Sequence, residues 1–126
     1  MDSGAYGKEI IIDMHECDVN KFNRKELRKY FKELCTLIDM ERCDLHFWDY
    51  VGVPQEEIDA EPDHLVGTSA VQFIKTSNIV IHTLDRLGKV FLNIFSCKDY
   101  NSNVVIEFSK NFFGGKIINI TEVERR

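Results

Sequence analysis

Two serine hydroxyls, an imidazole and a thiol occur within one segment of the second half of the sequence. Ser69, Ser77, His82 and Cys97 all fall within the segment GTSAVQFIKTSNIVIHTLDRLGKVFLNIFSC, which runs from residue 67 to residue 97. Its β-rich runs would place these side chains on or beside adjacent strands, which lie about 4.8 Å apart. A nucleophile, a base and a thiol could therefore share one pocket. Serines at turns and a histidine in a strand are also common structural residues, so the spacing alone leaves both interpretations open.

The elements that must position these residues follow from the hydrophobic pattern. Short β-rich or alternating runs predict strands, and apolar residues at helical spacing predict two helices. One helix follows Asn23, which stands at capping-box spacing from Glu26, and the other ends at the glycine pair 114–115. The predicted order is β-α-β-β-β-β-α-β, with strands over 9–14, 43–48, 69–74, 78–83, 90–96 and 116–123. This order predicts an α+β fold, a two-layer α/β sandwich with a mostly antiparallel sheet and both helices on one face.

The segment 51–67 interrupts the pattern with both prolines of the chain and a run of acidic residues, Glu56, Glu57, Asp59, Glu61 and Asp63. We interpret it as an acidic surface loop inserted into the fold. An acidic loop would attract a cationic substrate, although most such loops are simply solvated.

Composition limits the class of protein. The chain of 126 residues is expected to form a single domain, 1–126. A net charge of −5 and the lack of a basic stripe with interleaved aromatics give no indication of nucleic-acid binding. The N-terminus resembles neither a signal peptide nor a membrane span, so we expect a cytoplasmic protein with no membrane partner. The four cysteines form no C-x-x-C pair and are expected to be free thiols rather than a metal site.

Four short motifs occur at fixed intervals in the chain. GTSA begins at residue 67, TSN at 76, IHTLDR at 81 and FSC at 95, and IDMHECD begins upstream at 12. Ser69 to Ser77 is eight residues, Ser77 to His82 is five, and His82 to Cys97 is fifteen. These motifs and intervals resemble those of the short bacterial and archaeal type of S-adenosylmethionine decarboxylase. The resemblance covers most of the chain, apart from residues 51–65, which look like an insertion.

By this resemblance, Ser77 is the precursor of a pyruvoyl cofactor. Its hydroxyl would attack the carbonyl of Thr76, and elimination and hydrolysis would then cut the chain between residues 76 and 77 and leave a pyruvoyl group on the new N-terminus. His82 would transfer the proton of the elimination, and Ser69 would donate a hydrogen bond to the oxyanion. The pyruvoyl carbonyl would form a Schiff base with the substrate amine and accept the electrons released with CO₂. Cys97 would return a proton to the substrate carbon.

Several positions depart from the family pattern. Thr76 and Asn78 flank the expected cut, where the family has Glu and His. Arg86 stands at the position of the glutamate that binds the ribose hydroxyls, and a guanidinium has no acceptor. Asp85, one residue earlier, could substitute if the turn shifts.

The substrate therefore stays open. The family's adenine-stacking aromatic aligns with Tyr50, preceded by Trp48, and such a platform accepts a cationic nucleoside or an arginine equally well. The first interpretation is decarboxylation of S-adenosylmethionine, which supplies the aminopropyl donor for spermidine and other polyamines. The second is decarboxylation of arginine or ornithine, and the third is an unprocessed regulatory protein. The resemblance also implies a homodimer, an αββα sandwich in which two sheets pack face to face.

Overall fold

Six strands form one antiparallel sheet in the order β2-β3-β4-β5-β1-β6. The computed structural model describes residues 4–126. In chain order, the elements are β1 (Gly7–His15), α1 (Arg24–Leu37), β2 (Arg42–Trp48), α2 (Gln55–Asp59), β3 (Gly67–Ile74), β4 (Ser77–Leu84), β5 (Lys89–Ser96), α3 (Ser102–Phe113) and β6 (Lys116–Arg125). The predicted α+β sandwich and its order of strands are confirmed, and the strand ends differ from the prediction by one or two residues.

Alternation along the central strands separates the two faces of the sheet. In β1, Ile10, Ile12 and Met14 are fully buried under the helices, whereas Ile11 points to the opposite face and is partly exposed. The same period of two runs through β3, β4 and β5. No described element covers the second face, which we call the open face. The sheet therefore has one face in the core and one available for a site or a partner.

The two long helices pack against the covered face. Asn23 caps α1 as predicted, because its side-chain oxygen accepts the Glu26 backbone N–H at 2.9 Å. The helix then buries one stripe of side chains, Leu27, Tyr30, Phe31, Leu34 and Cys35. Tyr30 links α1 to α3 through a buried hydrogen bond of 2.7 Å between its hydroxyl and that of Ser109. α3 ends where Gly114 adopts a left-handed φ of 62°.

Residues 51–67, interpreted above as an insertion and called the inserted segment below, contain more regular structure than a loop. It contains the five-residue helix α2 and a single 3-10 turn at Asp63–Leu65, where the sequence predicted only a loop. Pro54 immediately precedes α2, and proline is well suited to the start of a helix because its φ is fixed and its missing N–H is not needed there. A hydrogen bond of 2.8 Å from the Gln55 amide to the Asp59 carboxylate supports this short turn of helix.

One detail of the β2 prediction is wrong. In the predicted strand 43–48, the alternation of residues predicts a half-buried face that holds Cys43, Leu45 and Phe47, but Cys43 is exposed. The pairing of β2 with β3 shifts register between Arg42 and Leu45, and this irregularity breaks the alternation. The buried Gln72 amide fills the gap by donating to the Cys43 carbonyl at 3.1 Å.

Candidate active site

The predicted cleavage point lies at the tip of the hairpin between β3 and β4. Ile74 pairs with Ser77, which leaves only Lys75 and Thr76 to make the turn. Thr76 has a φ of 56°, in the left-handed region that a β-branched residue rarely occupies. Ser77 is buried, and its Oγ accepts the backbone N–H of Cys97 at 3.2 Å. A tight turn therefore holds the serine hydroxyl in one place beside a strained peptide.

The Cys97 thiol lies against this turn. Its sulfur is 3.2 Å from Thr76 Oγ1, and Ser77 Oγ donates to it across 3.8 Å. The hydrogen bonds from Thr76 and then Ser77 stabilise the thiolate and lower the pKa of Cys97 below the usual thiol value. A half-exposed thiol with a lowered pKa can release and regain a proton.

Cavities flank the turn on both faces of the sheet. On the helix side, a cavity of about 490 Å³ is lined by Ser77, Cys97 and Met40, among others. At its rim, the Lys98 ammonium binds the Asp39 carboxylate at 2.8 Å, which lowers the pKa of that carboxyl. On the open face, a smaller cavity of about 330 Å³ also contacts Thr76 and Ser77. A small molecule could therefore approach the turn from either face.

The Ser69 and His82 side chains form a second pair, on the open face. They are cross-strand neighbours in the β3–β4 ladder, and Ser69 Oγ lies 2.7 Å from His82 Nδ1. This hydrogen bond fixes the orientation of the imidazole and couples a hydroxyl to a base. The pair can accept or donate a proton at the sheet surface.

The two groups do not meet within one chain. His82 follows Ser77 by five residues in β4, a distance of about 17 Å at 3.3 Å per residue. Because five is odd, the two side chains also point to opposite faces. The expectation that all four residues share one pocket is therefore wrong for a single chain, which instead presents the Thr76–Ser77–Cys97 turn and the Ser69–His82 pair separately.

An aromatic pocket surrounds the Ser69–His82 pair. Trp48 pairs with Ser69 and Phe91 pairs with His82, so all four side chains stand in one row across the open face. They line a pocket of about 360 Å³, together with His64 from the inserted segment. The Trp48 side chain is 62% exposed. Phe91 and His64 belong to no motif in the sequence, although the strand register, once known, places Phe91 beside His82.

The other predicted substrate residues lie on the helix side. Tyr50, Asp85 and Arg86 line a cleft of about 690 Å³ next to the start of α1. Tyr50 and Trp48 are in contact, with ring centroids 5.2 Å apart, but they border different cavities. Burial raises the pKa of Asp85, and the adjacent Arg86 partly offsets this effect. The Arg86 guanidinium points back to the inserted segment, where it donates to the Ile58 carbonyl at 2.8 Å.

Residues 4–126 contain no group of three or more histidine, cysteine or acidic side chains placed to bind a metal ion. Within the same residues, no helix is both long enough and apolar enough to span a membrane.

Comparisons with known proteins concern the family and the fold of the chain. The family model described as S-adenosylmethionine decarboxylase matches residues 8–126. Among solved structures, the chain is similar to the adenosylmethionine decarboxylase from Aquifex aeolicus VF5, with a TM-score of 0.75 and 17% sequence identity over 98% of this chain and 92% of that chain. The search of curated proteins gives no match. At 17% identity the structural likeness concerns the fold, whereas the family match covers nearly every residue.

Proposed function

The chain belongs to the S-adenosylmethionine decarboxylase family, and from that premise we propose that it cuts itself before Ser77 and decarboxylates S-adenosylmethionine with the pyruvoyl group so formed. The observation that carries the proposal is the turn at the end of β3. There, the Ser77 hydroxyl is held by the Cys97 N–H, next to the left-handed Thr76 and the Cys97 thiol.

Cleavage uses only groups of the protein and one water molecule. Ser77 Oγ attacks the carbonyl carbon of Thr76, the C–N bond breaks, and the amide nitrogen takes up the hydroxyl proton, which leaves an ester. Removal of the Ser77 Cα proton then expels the Thr76 carboxylate and leaves a dehydroalanine at position 77. Addition of water and loss of ammonia convert that residue into the pyruvoyl group. The new chains are residues 1–76 and 77–126.

The surroundings of Ser77 fit such a group. A pyruvoyl group supplies an electron sink for the pair released with CO₂. The Cys97 N–H, 3.2 Å from Ser77 Oγ, is placed to donate to an oxygen at this position. The Cys97 thiol, whose pKa is lowered by neighbouring hydroxyls, is the group that returns a proton to the substrate carbon.

A homodimer completes the site in this proposal. The open face exposes large apolar side chains, Ile11, Trp48, Phe73, Phe91 and Val123, and exposed apolar surface of this kind favours association. Two copies that pack these faces together would form the αββα sandwich. A two-fold axis through the open face near Val80, between the two groups in β4, would place the Ser69–His82 pair of each copy over the Ser77 turn of the other. His82 would then receive the Cα proton, and Ser69 would bind the oxyanion, of the partner's cleavage.

Intact mass and denaturing electrophoresis of purified protein test the cleavage directly. We expect two chains, 1–76 and 77–126, the second resistant to Edman sequencing because a pyruvoyl group blocks its N-terminus. Ser77→Ala should leave one chain. A single intact chain in the unsubstituted protein, even after long incubation, contradicts the enzyme proposal and favours a regulatory role.

A second substrate class has one observation in its favour. No carboxylate occupies the ribose position, because Arg86 stands there and its guanidinium is bound by the inserted segment. Release of labelled CO₂ from S-adenosylmethionine, arginine and ornithine, measured side by side, decides between the substrates. Turnover of arginine or ornithine at a rate at least about a hundredfold higher would assign the enzyme to basic amino acids, with a free-energy preference of about 2.8 kcal/mol.

A further inference from the structure

Arg86 forms a fixed connection between the β4–β5 turn and the inserted segment. Its guanidinium donates to the carbonyls of Ile58 and Glu61, each at 2.8 Å, and approaches the Asp63 carboxylate at 3.3 Å. The two carbonyls lie at and just beyond the C-terminal end of α2. The Ile58 carbonyl also accepts the Glu61 backbone N–H at 3.0 Å, so the guanidinium is an additional donor at this helix end. Arg86 therefore caps α2, and the planar fork of a guanidinium suits three separate acceptors better than an ammonium does.

Two further hydrogen bonds hold the inserted segment near its C-terminal end. The Tyr50 hydroxyl donates to the Leu65 carbonyl at 2.8 Å, and the Asp85 N–H donates to the Val66 carbonyl at 3.0 Å. Between these contacts and the Arg86 cap lies the 3-10 turn Asp63–Leu65. The position of this turn is thus set from both sides, although its side chains are not buried.

That turn forms one wall of the pocket on the open face. His64 and Leu65 line the same pocket as Trp48, Ser69 and His82. An imidazole nitrogen can accept a hydrogen bond from a hydroxyl, which the guanidinium of Arg86 cannot do. The segment therefore brings a hydrogen-bond acceptor to the pocket of the Ser69–His82 pair, whereas Arg86, at the position of the expected carboxylate, lines the cleft on the helix side.

We propose that Arg86 is a positioning residue that holds His64 in this pocket, and that His64 accepts a hydrogen bond from a ribose hydroxyl of the substrate. The substrate assignment rests on the proposed function, whereas the connection from Arg86 to the inserted segment does not. Arg86 thus contributes to binding through the segment that it caps, at a position where the family has a direct ligand.

Hydrogen exchange tests the structural half of the proposal without any activity. In uncleaved Ser77→Ala protein, Arg86→Ala should speed exchange of the Ala60, Glu61 and Leu65 amides by about tenfold or more, while α1 is unaffected. Arg86→Lys, the matched control that keeps the charge but not the fork, should resemble Arg86→Ala. Unchanged exchange in Arg86→Ala overturns the positioning role.

Steady-state kinetics of the processed enzyme test the binding half. Loss of one hydrogen bond should raise KM for S-adenosylmethionine about tenfold in both His64→Ala and Arg86→Ala, with kcat nearly unchanged. His64→Gln, which keeps an acceptor, should recover much of the loss, and the double variant should be little worse than His64→Ala. A role confined to stability would reduce active protein without moving KM.

The outcomes separate the two proposals. Faster exchange with an unchanged KM overturns the role of His64, as does turnover of arginine or ornithine in place of S-adenosylmethionine, since those substrates carry no ribose. Failure of the proposed function shows itself differently, as an absence of CO₂ release from S-adenosylmethionine by the unsubstituted protein. The exchange experiment then still decides whether Arg86 holds the inserted segment.

Discussion

Co-expression of two inactive variants should restore cleavage if the site is shared between copies. One chain carries His82→Ala and keeps its Ser77, and the other carries Ser77→Ala and keeps its His82. In a mixed dimer, the intact Ser77 turn of the first chain would face the intact Ser69–His82 pair of the second. Each variant alone should stay largely uncut.

The expected fraction of cleaved chains follows from the separation of Ser77 and His82 along β4. Proton transfer needs donor and acceptor within about 3 Å, whereas His82 and Ser77 of one chain are five residues apart in the strand, or about 17 Å. Cleavage within one chain should therefore be negligible. Random pairing of equally abundant chains into dimers makes about half of the His82→Ala chains members of mixed dimers. About half of all His82→Ala chains should therefore be cut, and none of the Ser77→Ala chains should be cut.

Differently tagged chains, separated by denaturing electrophoresis and identified by intact mass, give the cleaved fraction of each. The matched control pairs Ser69→Ala with His82→Ala. Both substitutions affect the Ser69–His82 pair. In every mixed dimer, the pair that faces each Ser77 turn therefore lacks one of its two members, and cleavage should not return. If His82→Ala chains stay uncut beside Ser77→Ala chains, or if the control pair is cut equally well, the shared site is wrong.

Further predictions concern the turn and the core. In uncleaved Ser77→Ala protein, replacing Thr76 by Val removes the leading hydrogen bond to Cys97, so the pKa of the thiol should rise and the pH profile of its alkylation should shift upward, with slower reaction at pH 7. Thr76→Asn in the same background should raise stability by about 1 kcal/mol, because asparagine tolerates a left-handed φ, and the melting temperature by about 4 °C. Tyr30→Phe should cost about 1–3 kcal/mol in urea unfolding by leaving the Ser109 hydroxyl unpaired, and Ser109→Ala added to it should recover part of that loss.

Other cysteines and a neighbouring residue provide the controls. Cys43 is exposed and should show the same alkylation profile in both proteins, whereas burial raises the pKa of Cys17 and Cys35 to about 11 and should keep them unlabelled. An unmoved Cys97 profile would mean that Thr76 does not affect the thiol. Lys75→Asn, at the turn residue with no left-handed φ, should not stabilise the protein, and an equal gain there would contradict the strain at Thr76.

The sequence was sufficient for the order of elements because each signal was local. Alternation of apolar residues in the central strands and the cap at Asn23 depend only on near neighbours, and these features agree with the structure. Alternation failed at Cys43, in an edge strand whose register shifts against β3. At that shift the buried Gln72 amide of β3 donates to the Cys43 carbonyl, a contact between strands that no local pattern reports.

The separation of Ser77 from His82 on the two faces of the sheet could be predicted in part from the sequence. His82 follows Ser77 at an interval of five residues, and an odd interval within one strand already requires opposite faces. The pairing of Ser69 with His82 could not be predicted without the length of the hairpin turn. A turn of two residues gives this register, and a turn of three would shift it. The connection from Arg86 to Ile58 could not be predicted, since it joins the β4–β5 turn to a short helix 28 residues earlier in the sequence.

The strand order has a consequence for what happens after a cut at the β3–β4 tip. The first fragment would contain β1, β2 and β3, and the second would contain β4, β5 and β6. In the sheet, however, β1 lies between β5 and β6. The two pieces would thus be interleaved, and their separation would require three ladders to open, β3 from β4, β5 from β1 and β1 from β6. A severed peptide bond would therefore leave the two pieces clasped together as one folded body, without any covalent link between them.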